Sequence, residues 1–415
     1  TAWPQASGRR SRHNCFGNWP VRAERTGAPV RRVPHPCPET AVLKKKMTID
    51  ALWAIERLAS TSLSPDGAQV VCTLTTPSLQ DNKSTASLWL LSTLGGRPRR
   101  LTHCGHKDGQ PRFSPQGDLV GFIAKREHEG QKDDEPQFYV IPPDGGEARR
   151  VGAVATGVEA FKWFPDGRRI AFVSWVWPEL KGSRAQARRW KEQHERKETG
   201  YATSQAQYRY WDHFLPMGRV PHLHVMDVAT GRVTDLFEDG AFELTRTDPD
   251  ADVFDISPDG RRVVFGFDPG VEKGLLHRDA LAELDLKTGR FREILRDADW
   301  AFCDPRYSPD GQRVACLASH QGLKHTMPNQ LAVWQREGGS WDVPSAQWDH
   351  AVESPLLWED DGEALLFIAE QQGRPHLWRF DLPDRRAEVV VAGGAVLDFG
   401  KAAGTLVTLS DSAAH

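Results

Sequence analysis

A four-residue motif recurs along the chain at nearly constant intervals. It reads Ser-Pro-Asp-Gly in its clearest form, and the spacings between the final glycines are 50, 50, 93, 51, 51 and 42 residues. The seven copies, two of them degenerate, end at Gly67, Gly117, Gly167, Gly260, Gly311, Gly362 and Gly404. Proline fixes φ at the second position of a tight turn, and glycine accepts the left-handed conformation at the fourth. Each copy therefore predicts a β-hairpin within a repeat of about 50 residues.

Each repeat contains the signals of four short strands. A β-branched and aromatic run such as Leu119–Ala124 follows each motif, and a second hairpin with a Gly-Gly or Thr-Gly turn lies about twenty residues later. Seven repeats of four strands predict an all-β fold, a seven-bladed β-propeller over residues 60–415. The last blade is incomplete, because the motif ending at Gly404 is followed by one strand, Thr405–Leu409. We therefore expect a chain truncated at its C-terminus.

Two helical segments interrupt this pattern. Blade three carries an insertion at about residues 177–220, in which Ser183–Thr199 is predicted as a charged helix capped by Ser183 and stopped by Gly200. A short N-terminal helix is predicted over residues 47–59, with Thr48 as its cap. The apolar face of this helix needs a partner, and a missing domain is one candidate; the face consists of Ile49, Leu52, Trp53 and Leu58.

The first 46 residues differ from the rest of the chain. They contain ten basic and two acidic residues, are rich in proline and glycine, and show no periodicity. This composition predicts a disordered basic tail. Because Met47 opens the first regular segment, residues 1–46 are a candidate non-native extension.

The composition excludes several classes of protein. A net charge of -3 does not favour nucleic-acid binding, and no apolar run approaches the ~20 residues of a membrane helix. The six cysteines form no C-x-x-C pair, and Cys72 and Cys316 lie in apolar strand-like runs. Reduced, buried thiols are typical of a cytoplasmic protein, which is the predicted location.

The repeat and the insertion together resemble one propeller family. WD40 repeats are shorter, at ~40–45 residues, and kelch blades lack this motif, which TolB-type and prolyl oligopeptidase propellers share. The insertion ends in Tyr208–Pro216 and continues to Gly231. This stretch resembles the Arg-x-Trp-Asp … His-Leu … Asp-x-x-x-Gly pattern of acylaminoacyl- and dipeptidyl-peptidase-like members of the prolyl oligopeptidase family (S9). The resemblance covers residues 47–415.

The resemblance implies a serine peptidase whose propeller gates access for short peptides and precedes an α/β-hydrolase domain. That domain carries its nucleophile in G-x-S-x-G. Here Gly338-Gly339-Ser340 is followed by Trp341 and Asp342, so the motif is absent and no catalytic residue is assigned. We expect the hydrolase domain to follow residue 415 in the parent and this chain alone to be inactive.

The segment ending the insertion is the best candidate for binding a peptide substrate. Aromatic rings beside Arg and Asp can stack on a peptide and bind its termini. The predicted residues are Tyr208, Arg209, Tyr210, Trp211, Asp212 and His213. Two alternatives remain open: Tyr210 and Trp211 can anchor the insertion on its blade, and Arg209 can pair with Asp212.

Other polar groups receive structural interpretations. His103-x-x-His106 around Cys104 is predicted as a polar loop, the acidic residues between 127 and 135 as a solvated loop, and His222 and His224 as packed side chains. No metal or cofactor is predicted. The alternative function is a TolB-like or scaffold propeller that binds proteins or peptides without catalysis. Peptidase specificity and oligomeric state stay open.

Overall fold

A computed structural model describes residues 23–25, 47–103, 107–128, 130–204, 207–240, 242–270, 278–321, 324 and 326–411. In it the recurrent motif forms the predicted turn. In the first copy, Gly67 has φ +70° and its N–H donates to the carbonyl of Ser64 over 2.8 Å. The Ser64 hydroxyl donates to Asp66 over 2.6 Å and accepts from the N–H of Gln69 over 2.9 Å. The serine and the aspartate therefore link both sides of the hairpin.

The first three repeats form four-stranded antiparallel sheets. Blade one consists of β2 (Arg57–Leu63), β3 (Gln69–Ser78), β4 (Lys83–Ser92) and β5 (Arg99–Arg100). Blade two consists of β6 (Gly109–Phe113), β7 (Val120–Ala124), β10 (Gln137–Ile141) and β11 (Arg149–Arg150), with the small hairpin β8 (Glu127–His128) and β9 (Gln131–Lys132). Blade three consists of β12 (Ala160–Trp163), β13 (Arg169–Val176), β16 (Val220–Asp227) and β17 (Val233–Asp235).

The next three repeats form sheets of the same kind. Blade four consists of β18 (Phe254–Ile256), β19 (Arg262–Phe267), β20 (Ala280–Asp285) and β21 (Arg290–Leu295). Blade five consists of β22 (Trp300–Tyr307), β23 (Arg313–His320), β24 (Gln330–Gln335) and β25 (Trp341–Asp342). Blade six consists of β26 (Glu353–Trp358), β27 (Ala364–Gln371), β28 (Arg374–Asp381) and β29 (Arg386–Val391).

The all-β propeller is confirmed, but the number of blades differs from the prediction. Within the described residues there are six four-stranded blades, not seven. The seventh repeat contributes only the hairpin of β30 (Ala395–Ala402) and β31 (Thr405–Asp411). A third strand comes from the N-terminal segment, where β1 (Ala23–Arg25) pairs with β31. The other residues of the predicted tail 1–46 lie outside the described part of the chain.

Both helices differ in extent from the predicted ones. Helix α1 covers Ile49–Trp53 only, with Thr48 accepting from the N–H of Ala51, because Arg57 already begins β2 and Leu58 pairs with Leu74. Helix α2 covers Ser183–His194 and lies between β13 and β16 of blade three. Its cap is Gly182, with no side-chain hydrogen bond, and it ends before Gly200, so the predicted boundaries were wrong.

The core lies between neighbouring sheets. Phe138 of blade two packs against Phe161 of blade three with 4.8 Å between the ring centroids, and Phe172 belongs to the same cluster. Full burial of one such side chain stabilises the fold by about 1.5–3 kcal/mol. Several first strands of successive blades contact each other, namely β2 with β6, β6 with β12, β18 with β22 and β22 with β26, and β2 also contacts β30.

Candidate functional site

One end of the propeller carries the insertion. Neighbouring strands of a blade run in opposite directions. The connection between the second and third strands therefore lies at the same end of the propeller as the connection from one blade to the next. The 177–220 insertion joins the second and third strands of blade three, and the β3–β4 connection has the same place in blade one. Helix α1 enters β2 at this end too. The loops best placed to bind a ligand or to contact a second domain therefore lie at the insertion end of the propeller.

The insertion is anchored on its blade mainly through α2. The buried Gln186 side chain accepts from the N–H of Trp177 over 3.0 Å and donates to its carbonyl over 2.8 Å. Trp190 donates from its indole N–H to Glu135 of the neighbouring blade over 3.3 Å. These contacts hold the base of the insertion and leave its second half to project.

The second half forms a small hairpin that presents aromatic rings. Strand β14 (Arg209–Tyr210) pairs with β15 (His213–Phe214), and the N–H of Leu215 donates to the carbonyl of Tyr208 over 3.1 Å. The exposed fractions are 44% for Tyr208, 79% for Trp211 and 74% for Phe214. Trp211 occupies the turn with φ +48°, a conformation that bulky residues rarely adopt.

The oppositely charged side chains of the hairpin, Arg209 and Asp212, are not paired with each other. The Arg209 guanidinium donates to the carbonyl of Trp211, with 3.1 Å from Nε, and the structure shows no ion pair between it and Asp212 among the described residues. The Asp212 side chain is 99% exposed. His213 lies 3.4 Å from Asp212 and 3.8 Å from Asp248. The hairpin thus offers exposed rings, a carboxylate and an imidazole on one projection.

The structure brings together the six predicted residues on this hairpin. It adds two that the sequence analysis missed: Phe214, whose ring stacks on Tyr208 at 6.4 Å, and Asp248 beside His213. Phe214 could have been found from the sequence, since it directly follows the chosen segment. Asp248 could not, because its contact with His213 depends on the path of the connection that follows blade three.

A second polar region connects the first strands of different blades. Arg306 of β22 pairs with Asp252 ahead of β18, and Lys162 of β12 donates to Asp255 of β18 over 3.1 Å. Thr61 of β2 donates to Asp398 of β30 over 2.7 Å from Oγ1 and 2.8 Å from the backbone N–H. Burial lowers the pKa of Lys162, while the nearby Asp255 and Asp252 carboxylates oppose that shift. Because these contacts join different blades, we interpret this region as stabilising the fold.

Two further clusters of buried polar side chains lie within blades, one around His222 and His224 and one around Asp133. His222 lies 2.9 Å from Asp235 and His224 3.6 Å from the same carboxylate, in line with their interpretation as packed side chains. Burial lowers the pKa of His224. Asp133 was predicted in a solvated loop, but it is buried, since it accepts from Tyr139 over 2.6 Å and pairs with Arg150 at 2.9 Å.

No group of three His, Cys, Asp or Glu side chains suited to a metal occurs in the part of the chain that the structure describes. Cys104 and His106 of the predicted polar loop lie outside that part. Cys72, Cys303 and Cys316 are free thiols, and burial raises the pKa of Cys72 to about 12. None of the helices in the described ranges has the length and apolar character needed to span a bilayer.

Comparison with curated proteins finds peptidases. The chain is 26% identical over 286 residues to dipeptidyl-peptidase 5 of Porphyromonas endodontalis, covering 67% of this chain and 39% of the relative. It is 30% identical over 128 residues, 31% of this chain, to an uncharacterized peptidase of Bacillus subtilis. No protein-family model matches. The chain spans less than half the length of the dipeptidyl-peptidases it matches.

Comparison with solved structures finds the same fold. Acylaminoacyl peptidase of Pyrococcus horikoshii superposes with a TM-score of 0.62 at 15% identity, over 86% of this chain and 50% of that one. The propeller domain of the Trilobed protease from Pyrococcus furiosus gives 0.58 at 14% identity, over 86% and 90%. An oligogalacturonate lyase from Vibrio parahaemolyticus gives 0.51 at 13% identity, over 82% and 79%. The predicted resemblance to the propeller portion of S9 peptidases is confirmed.

Proposed function

Because the chain is similar to the propeller portion of prolyl oligopeptidase-family (S9) peptidases, we propose that it is the substrate-gating part of a serine peptidase acting on short peptides. The observation that carries this proposal is the exposed hairpin 208–214, at the end of the propeller where the connections between blades gather. A rigid β-scaffold with an aromatic projection can select extended peptides by stacking and by charge-assisted hydrogen bonds.

The proposed partner within the parent protein is its own α/β-hydrolase domain. The dipeptidyl-peptidase relatives are more than twice as long as the parts that this chain matches, which leaves room for such a domain. Catalysis in that domain would use an acyl-enzyme.

The substrate-binding role is proposed for Tyr208, Arg209, Tyr210, Trp211, Asp212 and His213. Tyr210 approaches Trp211 and His213 edge-on at 6.4 and 6.0 Å, so the three rings form one surface. A cytoplasmic location is proposed on the basis of the free thiols Cys72, Cys303 and Cys316. In this proposal the blade-three insertion determines which short peptides the propeller admits.

Labelling with a fluorophosphonate probe tests the proposal. The probe reacts covalently with an activated serine, so the complete gene product should be labelled and should hydrolyse fluorogenic dipeptides. The 415-residue chain should be neither labelled nor active, because it has no nucleophile elbow. A complete gene product that is well folded but unlabelled and inactive would contradict the proposal and favour a propeller that binds without catalysis.

A further inference from the structure

A cavity of about 860 Å³ opens at the insertion end, beside blade one. It lies between the end of α1 and the β3–β4 connection, and residues of blade two complete its wall. Pockets that bind small ligands or peptide side chains commonly have volumes of ~300–1,000 Å³. It is separate in sequence from the hairpin 208–214, none of whose residues lines it.

Four cations line this cavity: Arg57, Lys83, Lys107 and Lys132. All four are exposed, and none forms an ion pair or a side-chain hydrogen bond with another described residue. None of the described residues lining the cavity is acidic. Four cations without an ion-pair partner among the described residues create a positive potential around one concave surface, and such a potential attracts anionic ligands.

Two carboxylates close in sequence to the lining residues accept hydrogen bonds from hydroxyl groups. Glu56 accepts from the Thr76 hydroxyl over 2.7 Å, and Asp81 accepts from the Ser78 hydroxyl over 2.7 Å. Neither carboxylate lines the cavity. Neither carboxylate forms an ion pair with the cavity's cations.

Apolar side chains also line the cavity. Leu52, Trp53 and Leu79 line it and are 54%, 58% and 63% exposed. Exposed apolar side chains gathered at one concave surface are a mark of binding sites. The cavity therefore offers cationic groups and hydrophobic groups to the same ligand.

We propose that this cavity is an exosite for peptide segments that carry both acidic and apolar side chains. Carboxylates would pair with Lys83, Lys107 and the other cations, and an apolar side chain would pack on Trp53 and Leu52. A nucleic acid or an inorganic polyphosphate fits less well, because neither supplies aliphatic groups that would pack on Leu52, Trp53 and Leu79. The peptide class follows from the proposed function, whereas binding itself does not require the catalytic domain.

Fluorescence anisotropy with two labelled peptides tests the exosite on the 415-residue chain. The probes are acetyl-Glu-Leu-Glu-Phe-Glu-amide and its Lys-for-Glu counterpart, each with the same dye. We expect the acidic probe to bind at least about tenfold more tightly at low ionic strength. Its affinity should fall several-fold in about 0.5 M salt, because exposed charges are then screened within a few ångströms.

Variants locate the binding site. The double variant Lys83→Gln/Lys107→Gln should weaken binding of the acidic probe about tenfold, and Trp53→Ala should weaken it several-fold. Lys287→Gln is the matched control, because Lys287 is exposed on a hairpin turn of blade four and does not line the cavity. If the double variant fails to fold by circular dichroism, the single variants Lys83→Gln and Lys132→Gln decide the question.

Equal affinity for the two probes, or unchanged binding by folded cavity variants, would overturn the exosite. Tighter binding of polyphosphate than of the acidic peptide, with no effect of Trp53→Ala, would also overturn it. These results leave fluorophosphonate labelling of the complete gene product unaffected, so failure of the exosite and failure of the proposed function are distinguishable.

Discussion

At the scale of single residues, the recurrent motif combines a turn with a buried hydroxyl. Ser257 is 1% exposed; its hydroxyl donates to Asp259 over 2.6 Å and accepts from the N–H of Arg262 over 2.9 Å. In the second copy glutamine replaces the aspartate, and there the hydroxyl of Ser114 donates to Asp118 over 2.7 Å. The contact is thus kept although the motif changes.

The variant Ser257→Ala should destabilise the protein. It leaves the Arg262 N–H and the Asp259 carboxylate without the hydroxyl, and loss of such contacts costs about 1–2 kcal/mol. Urea denaturation should show the change as a lower midpoint with an unaltered slope. Ser340→Ala is the control, because Ser340 is exposed and its hydroxyl makes no hydrogen bond within the described ranges. Equal midpoints for the two variants would contradict this role of the motif.

The buried His224 should make stability depend on pH. Burial lowers its pKa, an effect that the charge of Asp235 only partly opposes, so the unfolded chain binds a proton at a pH where the folded chain does not. The free energy of unfolding should therefore fall as pH drops below about 6.5, by at most about 1.4 kcal/mol per pH unit. His224→Gln should reduce this loss between pH 7.5 and 5.5, whereas the exposed His103→Gln should not. An unchanged pH slope in His224→Gln would contradict the assignment.

At the scale of elements, regular strands could be predicted and short ones could not. The strands after each motif have β-branched and aromatic runs, which is why β7, β13 and β19 lie where the sequence places them. Strands β8, β9, β14 and β15 have two residues each, too few to show a period. Helix α1 was overestimated, because Leu58 fits a helical face but pairs within a sheet.

The hairpin of β14 and β15 should affect peptide binding rather than folding. Trp211→Gly removes the indole and also relieves the positive φ at the turn, so the fold should be unchanged or slightly more stable. In the proposed full-length peptidase this variant should raise KM for short peptides several-fold with little change in kcat.

Tyr201→Ala is the control for this effect, because Tyr201 is an exposed aromatic residue of the same insertion outside the proposed segment. If Trp211→Gly lowers stability by more than about 1 kcal/mol and leaves KM unchanged, the tryptophan has a structural task only.

At the scale of the whole molecule, ring closure depends on contacts between distant parts of the chain. Asp398 of the last repeat accepts both the hydroxyl and the backbone N–H of Thr61 in blade one. Arg112 of blade two donates to the Thr61 carbonyl over 2.9 Å. The strands that carry these residues can be predicted from the sequence. The contacts between them cannot, because they exist only once the blades form a ring.

Asp398→Ala should weaken this closure. It leaves two donors of Thr61 without their acceptor, at a cost of about 1–3 kcal/mol. Hydrogen exchange should accelerate in β2 and β30 more than in β19 of blade four. Asp384→Ala, at an exposed turn of blade six, is the control. Uniform acceleration across all blades, or none, would contradict a local role in closure.

The proposed function assigns this chain to the propeller portion of a serine peptidase. The most direct test is to read the encoding gene beyond the codon for His415. The proposed function predicts an open frame of about 250 further residues, the size of one domain, with G-x-S-x-G followed by an aspartate and a histidine. A stop codon shortly after residue 415, without that motif, would rule out the peptidase function and favour a propeller that binds without catalysis.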